Sequence, residues 1–230
     1  MTLTGRRPLR VEHRLTQPNA SLADLAAAVG LATEHELAAL TVSPWLVKAG
    51  KRTMGRSRVT LGTVVGFPHG GQLLSVKAFE ASKALEQGAT QIDFVLNSGA
   101  LVSGDDETVF NDMLAVVDMA HSALAAVGVI VGTDPLAEDL VRRACHLAER
   151  AGADYVVTGT GSASASATIA RTRLLRDGVG PRIGVKASGR FRSIEQVTDA
   201  VAAGATRVST HLTPTLARTV TAEPAAALAG

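Results

Sequence analysis

The stretch Arg182-Ile183-Gly184-Val185-Lys186-Ala187-Ser188-Gly189-Arg190 joins a short apolar run to a single lysine and a Ser-Gly turn. Ile183 and Val185 alternate with small or polar positions, which predicts a buried strand. Lys186 falls where the loop begins, and in a parallel α/β protein chemistry collects at that end of the strands. A lysine in such a wall loses solvation, so its amine can become neutral and nucleophilic near neutral pH. The alternative is a lysine that extends its ammonium group into water.

Similar apolar runs recur along the whole chain, and helical patterns follow most of them. We predict strands at 11–15, 37–42, 59–65, 91–96, 127–131, 155–158, 183–186 and 207–210. Most of the runs are continuously apolar, as expected for parallel strands that are covered on both faces. Eight strand–helix units in 230 residues predict an α/β protein with a single (β/α)₈ TIM barrel. An open doubly wound sheet is the alternative, but no Gly-x-Gly-x-x-Gly follows an early strand.

Composition bounds the function classes. The chain is 46% hydrophobic and 19% charged, with a net charge of +2, and this composition allows one large core. We therefore predict a barrel domain of residues 1–218, followed by a loosely attached tail of residues 219–230. The basic residues form no dense stripe and aromatic residues are few, so we expect no nucleic-acid partner. No run of about 18 apolar residues occurs, and residues 1–8 lack the apolar part of a signal peptide. The single cysteine, Cys145, fits a reducing cytosol, so we expect a cytoplasmic protein.

Polar side chains stand at most of the predicted strand ends. Asp93 is the most informative, because it stands alone inside the otherwise apolar run Gln-Ile-Asp-Phe-Val-Leu. Burying an unpaired carboxylate is costly, so Asp93 needs a partner or a raised pKa. Lys186, across the barrel, would supply a cation. We therefore interpret Lys186 and Asp93 as a catalytic acid/base pair, with a structural aspartate bonded to backbone amides as the alternative.

Several motifs, in order, carry a family resemblance. They are Gly66-Phe67-Pro68-His69-Gly70 with Lys77 and Glu80, Gln91-Ile92-Asp93-Phe94-Val95-Leu96-Asn97, Ala151-Gly152-Ala153-Asp154-Tyr155-Val156, and Val185-Lys186-Ala187-Ser188-Gly189. From about residue 11 to residue 211 the sequence resembles the deoxyribose-phosphate aldolases. These class I aldolases cleave 2-deoxyribose 5-phosphate to glyceraldehyde 3-phosphate and acetaldehyde. The resemblance implies a (β/α)₈ barrel, Schiff-base chemistry and no cofactor or metal.

The sequence departs from the family pattern at the reacting residue. The sixth strand of the family carries the lysine that forms the Schiff base, and Val157 stands at that position here. Valine cannot form an imine. By the same resemblance, Lys186 corresponds to a second family lysine on the seventh strand, and Asp93 corresponds to the proton-relay aspartate. The lysine and glutamate of the family's fifth strand correspond to Gly128 and Gly132.

The resemblance also implies a changed substrate pocket. Glu12 and Arg14 take the places of an aspartate and a threonine of the first strand. The phosphate loops become Ser188-Gly189-Arg190 and Ser209-Thr210-His211, and fewer glycines there weaken the approach of backbone N–H groups to a phosphate. Arg190 either replaces the lost donors or is a surface arginine. The expected substrate-binding residues are Glu12, His69, Asn97, Thr158, Thr160, Ser188, Gly189, Arg190, Ser209 and Thr210.

Three functions remain open from the sequence. The first is a diverged aldolase-like lyase that performs aldol, retro-aldol or related carbonyl chemistry on a small aldehyde, ketone or sugar-phosphate-like substrate and is inefficient on deoxyribose 5-phosphate. In it, Lys186 either forms the imine or exchanges protons with Asp93. The second is a non-covalent acid/base cyclase, isomerase or dehydratase on the same barrel. The third is a catalytically inactive binding or partner protein. We expect a small carbonyl or phosphorylated substrate, and a homodimer is the assembly to test.

Overall fold

The eight strands form a closed parallel barrel in chain order, in a computed structural model that describes residues 10–132 and 136–222. Each strand pairs with the next, and β8 pairs with β1. The predicted single (β/α)₈ barrel is therefore confirmed. The strands are β1 Arg10–Leu15, β2 Ala39–Val42, β3 Thr60–Val65, β4 Gln91–Val95, β5 Ala126–Ile130, β6 Tyr155–Val157, β7 Gly184–Ser188 and β8 Arg207–Thr210.

Helices surround this barrel and bury their apolar faces against it. Side-chain oxygens at helix starts bind free backbone N–H groups, as in the reciprocal capping pair of Ser21 and Asp24 before α1. The helices are α1 Leu22–Glu34, a 3₁₀ turn at Pro44–Leu46, α2 Val47–Met54, α3 Leu74–Glu86, α4 Ser98–Val102, α5 Asp106–Ser122, α6 Glu138–Arg150, α7 Ala165–Gly178, α8 Ile194–Ala202 and α9 Pro214–Ala222.

Most strand boundaries lie within two residues of the sequence-based prediction, and two differences are larger. The sequence pattern predicts one helix over 107–126, but α5 ends at Ser122, because Leu124 adopts a positive φ of 57° and the chain turns into β5. At the C-terminus, α9 continues to Ala222 and buries Val220. Helical structure thus extends into the segment 219–230 that we expected to be a tail. Residues 1–9, 133–135 and 223–230 lie outside the described residues, and so do the parts of the domain prediction that fall on them.

Two motif residues between β3 and α5 hold the scaffold together. Lys77 on α3 forms a buried ion pair with Asp112 on α5 at 2.7 Å. Glu80 accepts a hydrogen bond of 2.7 Å from the backbone N–H of Gly66, where the chain leaves β3 with a φ of 67°. Removing either member of such a buried pair leaves its partner uncompensated. Lys77 therefore fastens α3 to α5, and Glu80 fixes the start of the loop that follows β3.

The pleat of the strands directs alternate side chains into the barrel, so the interior is built in layers. Glu12, Asp93 and Lys186 are in contact in one layer. Two residues further along β1 and β7, Arg14 and Ser188 are in contact in the next layer, toward the carboxyl ends of the strands. The candidate catalytic residues thus lie inside the barrel, one layer below its mouth.

Candidate active site

The side chain of Lys186 is the centre of a buried ionic cluster. Its Nζ lies 2.6 Å from Oε2 of Glu12 and 2.9 Å from both carboxylate oxygens of Asp93. The residue is 0% exposed, so both carboxylates neutralise the ammonium away from bulk water. The alternative of a lysine that extends into solvent is therefore wrong, and so is an Asp93 bonded only to backbone amides.

Glu12 is held by cations and an amide inside the barrel. Its Oε1 accepts from Nη1 of Arg207 at 3.1 Å, and its Oε2 accepts from Nε2 of Gln91 at 3.1 Å. The same Nη1 of Arg207 donates to Oε1 of Gln91 at 3.0 Å. Burial acts to raise the pKa of Glu12, but the charges and hydrogen bonds of Lys186 and Arg207 hold it below its usual value. Glu12 is thus a permanent anion of the cluster.

Tyr155 connects Asp93 to the rest of the interior. Its hydroxyl donates to Oδ1 of Asp93 at 2.7 Å, and the Nζ of Lys186 lies 4.7 Å from its ring centroid. Burial, followed by the negative charges of Asp93 and Glu12, raises the pKa of Tyr155 well above its usual value. The phenol therefore stays protonated and donates to Asp93. Gly128 makes room for the ring, because a β-carbon at that position would overlap it.

Val157 lies beside this cluster on the neighbouring strand. It is paired in register with Lys186 and is 1% exposed. Its side chain packs with Val95, Ile130 and Tyr155 in an apolar cluster that is separate from the main core. One side of the barrel interior is thus ionic and the other is apolar. The position that the resemblance assigns to a Schiff-base lysine contributes packing in this chain.

Arg14 lies above the ionic cluster at the mouth of the barrel. Its Nη1 donates to Oγ of Ser188 at 2.9 Å and to the carbonyl of Thr160 at 3.3 Å, and its Nη2 donates to the carbonyl of Gly161 at 2.8 Å. Burial lowers the pKa of Arg14 to about 10, while the charge of Asp93 acts in the opposite direction. Outside the guanidinium lies a cavity of about 480 Å³, which Arg14, Thr160, Gly161, Phe67 and His69 help to line.

The expected substrate-binding residues of β6 and β7 take different roles. Oγ1 of Thr158 accepts from the backbone N–H of Ser188 at 2.9 Å, so it links the two strands. Oγ of Ser188 accepts from Arg14, as described above. Gly189 lets the chain pass close to Thr168 of α7, whose side chain a β-carbon at position 189 would overlap. Thr160 supplies its carbonyl oxygen to Arg14 and lines the cavity.

The remaining predicted residues are not gathered around Lys186. Oδ1 of Asn97 accepts from the backbone N–H of Ala100 and caps α4, and Oγ1 of Thr210 accepts from the backbone N–H of Phe191. Arg190 is exposed in a depression that it shares with Arg192 and with Ser164 and Ser166 at the start of α7. The last two expected residues are Ser209, which is buried in β8 beside Glu12, and His69, which is exposed at the cavity.

Sequence reasoning missed two participants and underrated a third. Arg207 and Gln91 were not predicted, and because Ser209, Thr210 and Asp93 share their strands, no lone polar residue marked them. Tyr155 was predicted only as a strand residue, and its hydroxyl between apolar neighbours is the signal that could have found it. All three lie in one connected network with Glu12 and Asp93.

The described residues contain neither a metal-binding cluster nor a membrane-spanning helix. Within residues 10–132 and 136–222, no group of three His, Cys, Asp or Glu side chains is arranged to hold a metal ion. In the same part of the chain, no helix combines the length and the apolar character that a membrane span needs.

Residues 9–206 match the DeoC/LacD family of aldolases. The chain belongs to this family. It is 41% identical over 202 residues to the deoxyribose-phosphate aldolase of Thermococcus gammatolerans, covering 87% of this chain and 90% of the relative. It is 40% identical over 198 residues to that of Bacillus cereus, covering 86% and 88%.

Solved structures agree with this assignment. The tetrameric deoxyribose phosphate aldolase of Aeropyrum pernix superimposes with a TM-score of 0.78 at 28% identity, covering 92% of this chain and 89% of that one. Because the curated relatives are carbon–carbon lyases, this family member is an aldolase-like lyase. The predicted resemblance and enzyme class are confirmed.

Proposed function

We propose that this family member is a diverged aldolase-like lyase whose reaction centre is the cluster of Glu12, Asp93, Tyr155 and Lys186. The observation that carries the proposal is the Nζ of Lys186 within 2.9 Å of both oxygens of Asp93, inside the barrel and one layer below the mouth cavity. An amine and a proton acceptor in direct contact are the two groups that imine chemistry on a carbonyl requires.

The arrangement supports the following sequence of steps. Asp93 takes a proton from the ammonium of Lys186, and the free amine attacks the carbonyl carbon of the substrate. The product of this attack is a carbinolamine, and Asp93 gives its proton to the carbinolamine hydroxyl, which leaves as water. The protonated imine that remains withdraws electrons from the bond that breaks or forms next. Tyr155 holds the carboxylate of Asp93 in place through the hydrogen bond of 2.7 Å. Glu12 keeps a negative charge beside Nζ and stabilises the protonated imine.

A specific observation favours a second chemistry at the same site. Lys186 in this structure is held by two carboxylates and is 0% exposed, as suits an ammonium that donates protons. In that case Lys186 and Asp93 catalyse proton transfer without a covalent intermediate, as in an isomerisation, cyclisation or dehydration. The two chemistries use the same residues and differ in whether Nζ forms a bond to carbon.

The substrate that we propose is not deoxyribose 5-phosphate. Val157 removes the amine from the position that the family resemblance assigns to the Schiff base, and Arg14 fills the mouth above Lys186. The loop after β7 offers few free donors to a phosphate, because the backbone N–H groups of Gly189 and Arg190 donate to the carbonyl oxygens of Ser209 and Ala163. Curated relatives are named deoxyribose-phosphate aldolases, so the proposed substrate remains a small carbonyl or phosphorylated compound.

Borohydride trapping separates the two chemistries. The full chain is incubated with acetaldehyde, acetone or pyruvate, reduced with borohydride, digested and mapped by mass spectrometry. We expect a reduced adduct on Lys186 that is absent from Lys186→Arg, which keeps the charge but presents a far weaker nucleophile. Turnover without any adduct on Lys186 would favour proton transfer. An adduct on another lysine, with full activity in Lys186→Arg, would overturn the proposal.

We also propose a cytoplasmic homo-oligomer, with a homodimer as its simplest form. The support is the relative from Aeropyrum pernix, whose structure is described as tetrameric, and an exposed apolar surface at the start of α3 that includes Leu73 and Phe79. Light scattering of the wild-type chain and of Phe79→Ser tests this. A monomer at micromolar concentration in both would contradict it.

A further inference from the structure

We infer that Arg14 is a specificity-determining residue that binds an oxyanion of the substrate, a carboxylate or phosphate, at the barrel mouth next to Lys186. The inference rests on the proposed function, because it names the class of substrate for that site. It assigns to the chain a short carbonyl compound that carries an oxyanion close to the reacting carbonyl. The supporting observations concern the charge, the free donors and the position of Arg14.

The charge of Arg14 has no counter-ion among the described residues. Its guanidinium is largely buried, yet its three hydrogen-bond acceptors, Thr160, Gly161 and Ser188, are all neutral. In residues 10–132 and 136–222 no carboxylate forms an ion pair with it. Asp93, whose charge acts on Arg14 from a distance, is in direct contact with Lys186 instead. A buried cation without a partner is unfavourable, so an anionic ligand would gain affinity there.

One edge of the guanidinium is available to such a ligand. The observed bonds use both N–H groups of Nη1 and one N–H of Nη2. Nε and a second N–H of Nη2 donate to none of the described residues, so both can serve a ligand. A guanidinium with free donors binds a carboxylate or phosphate strongly, and in a bidentate manner where Nε and an Nη donate side by side. Since Arg14 lines the cavity of about 480 Å³, an oxyanion in that cavity can reach this edge.

The position of Arg14 limits how far the oxyanion lies from the reacting carbon. Arg14 follows Glu12 by two residues on β1, and its partner Ser188 follows Lys186 by two residues on β7. Alternate residues of a strand on one face are about 7 Å apart. A substrate that reaches Lys186 through the mouth therefore passes the guanidinium, and its oxyanion binds within a few bonds of the carbonyl carbon.

A purely structural role is the competing explanation. In it, Arg14 only fastens the loop at Thr160 and Gly161 to β1 and β7. That role predicts that loss of Arg14 lowers the melting temperature but changes the binding of all small ligands alike. Oxyanion recognition predicts a selective loss, and the contrast between charged and neutral ligands distinguishes the two.

The test measures binding to the full chain by calorimetry, with pyruvate, inorganic phosphate and the neutral hydroxyacetone as probes. We expect wild type to bind pyruvate or phosphate at least about tenfold more tightly than hydroxyacetone. Arg14→Met, which keeps the apolar stem, should lose that preference, and Arg14→Lys should retain part of it. Arg142→Met, which removes a half-exposed arginine of α6, is the matched control and should bind as wild type does.

Each outcome decides the inference. Loss of preference for pyruvate alone identifies a carboxylate, and loss for phosphate alone identifies a phosphate. Equal weakening of all three probes, or an unchanged preference in Arg14→Met, overturns the inference. Repeating the calorimetry with Lys186→Arg separates this inference from the proposed function, because oxyanion binding needs Arg14 and does not need the amine of Lys186. Binding retained without any borohydride adduct would contradict only the imine chemistry.

Discussion

The ammonium of Lys186 lies 2.9 Å from each carboxylate oxygen of Asp93, on strands that are not neighbours in the barrel. Glu12 completes the contact from a third strand at 2.6 Å. This three-strand contact gives the barrel a buried acid/base pair whose charge is balanced within the protein. The predictions below change one part of this cluster, or of the mouth above it, at a time.

Replacing Lys186 by methionine should reduce turnover to background. It should also destabilise the fold by about 3–5 kcal/mol, because Glu12 and Asp93 would both lose the buried cation that contacts them. The double variant Lys186→Met/Glu12→Gln removes one positive and one negative charge, so it should recover much of the stability without activity. Urea unfolding and a turnover assay measure both effects. Near wild-type turnover in Lys186→Met would exclude a catalytic role for this amine.

Tyr155→Phe should lower turnover moderately, because it removes the hydrogen bond of 2.7 Å that positions Asp93. The expected cost in stability is about 1 kcal/mol. Asp93→Asn should have a much larger effect, since an amide cannot relay a proton. If Tyr155 acts through Asp93, the double variant is no slower than Asp93→Asn alone. Additive losses in kcat would show that Tyr155 has an independent role.

The unmodified chain should be a poor deoxyribose-phosphate aldolase. Val157 offers no amine, and Arg14 narrows the approach to Lys186. Each 1.36 kcal/mol lost from transition-state stabilisation slows a reaction about tenfold. We expect turnover far below about 10 per second, the typical value for enzymes. A coupled assay beside the Thermococcus gammatolerans relative provides the reference, and equal rates would refute the proposed change of substrate.

His13 should make the folded state lose stability as the pH falls from about 6.5 to about 4. Burial, then the charges of His211 and Arg14, lower its pKa from 6.5 to about 4, and its Nδ1 accepts the backbone N–H of Leu212 at 3.0 Å. Below pH 6.5 this histidine is protonated in the unfolded chain but still largely neutral in the folded chain, so a fall in pH favours the unfolded state. At pH 5 the difference lowers the free energy of unfolding by about 2 kcal/mol.

Urea unfolding of His13→Asn at pH 7 and pH 5 checks this. The asparagine carbonyl can accept the same N–H but cannot titrate, so the free energy of unfolding of this variant should fall by about 2 kcal/mol less between pH 7 and pH 5. His146→Asn, which replaces an exposed histidine of α6, is the control and should show the same fall as wild type. The wild-type fall in His13→Asn as well would show that other groups cause the acid sensitivity.

Gly161→Ala should displace Arg14 from the mouth. A β-carbon at position 161 would overlap the guanidinium, and the φ of 89° is unfavourable for alanine by about 1–2 kcal/mol. Gly104→Ala is the matched control, since its φ of 79° carries a similar strain while its β-carbon meets no neighbour. Only Gly161→Ala should lose the preference for pyruvate or phosphate over hydroxyacetone. If both variants keep the same preference for pyruvate or phosphate, Gly161 has no part in oxyanion recognition.

The sequence alone determined the fold class and the central pair. Strand and helix periodicities are local properties of the chain, and eight repeats of them leave the closed parallel barrel as the expected arrangement. Lys186 and Asp93 could be predicted because a charged residue in an apolar strand is costly unless it is paired. The helix end at Ser122 could not be predicted, because the backbone turn at Leu124 gives no signal in a run of alanine and leucine.

Only the tertiary structure decided which side chains surround that pair. Glu12, Tyr155, Arg207 and Gln91 are far apart in the chain, and their contacts depend on the register and stagger of the closed barrel. The same holds for Arg14, whose orientation at the mouth depends on carbonyl oxygens in the loop after β6. Residue types and spacing specify which groups are costly to bury. Closure of the barrel determines which charged groups neutralise one another. An ion pair requires contact, and contact between strands that are distant in the chain is not encoded by local sequence.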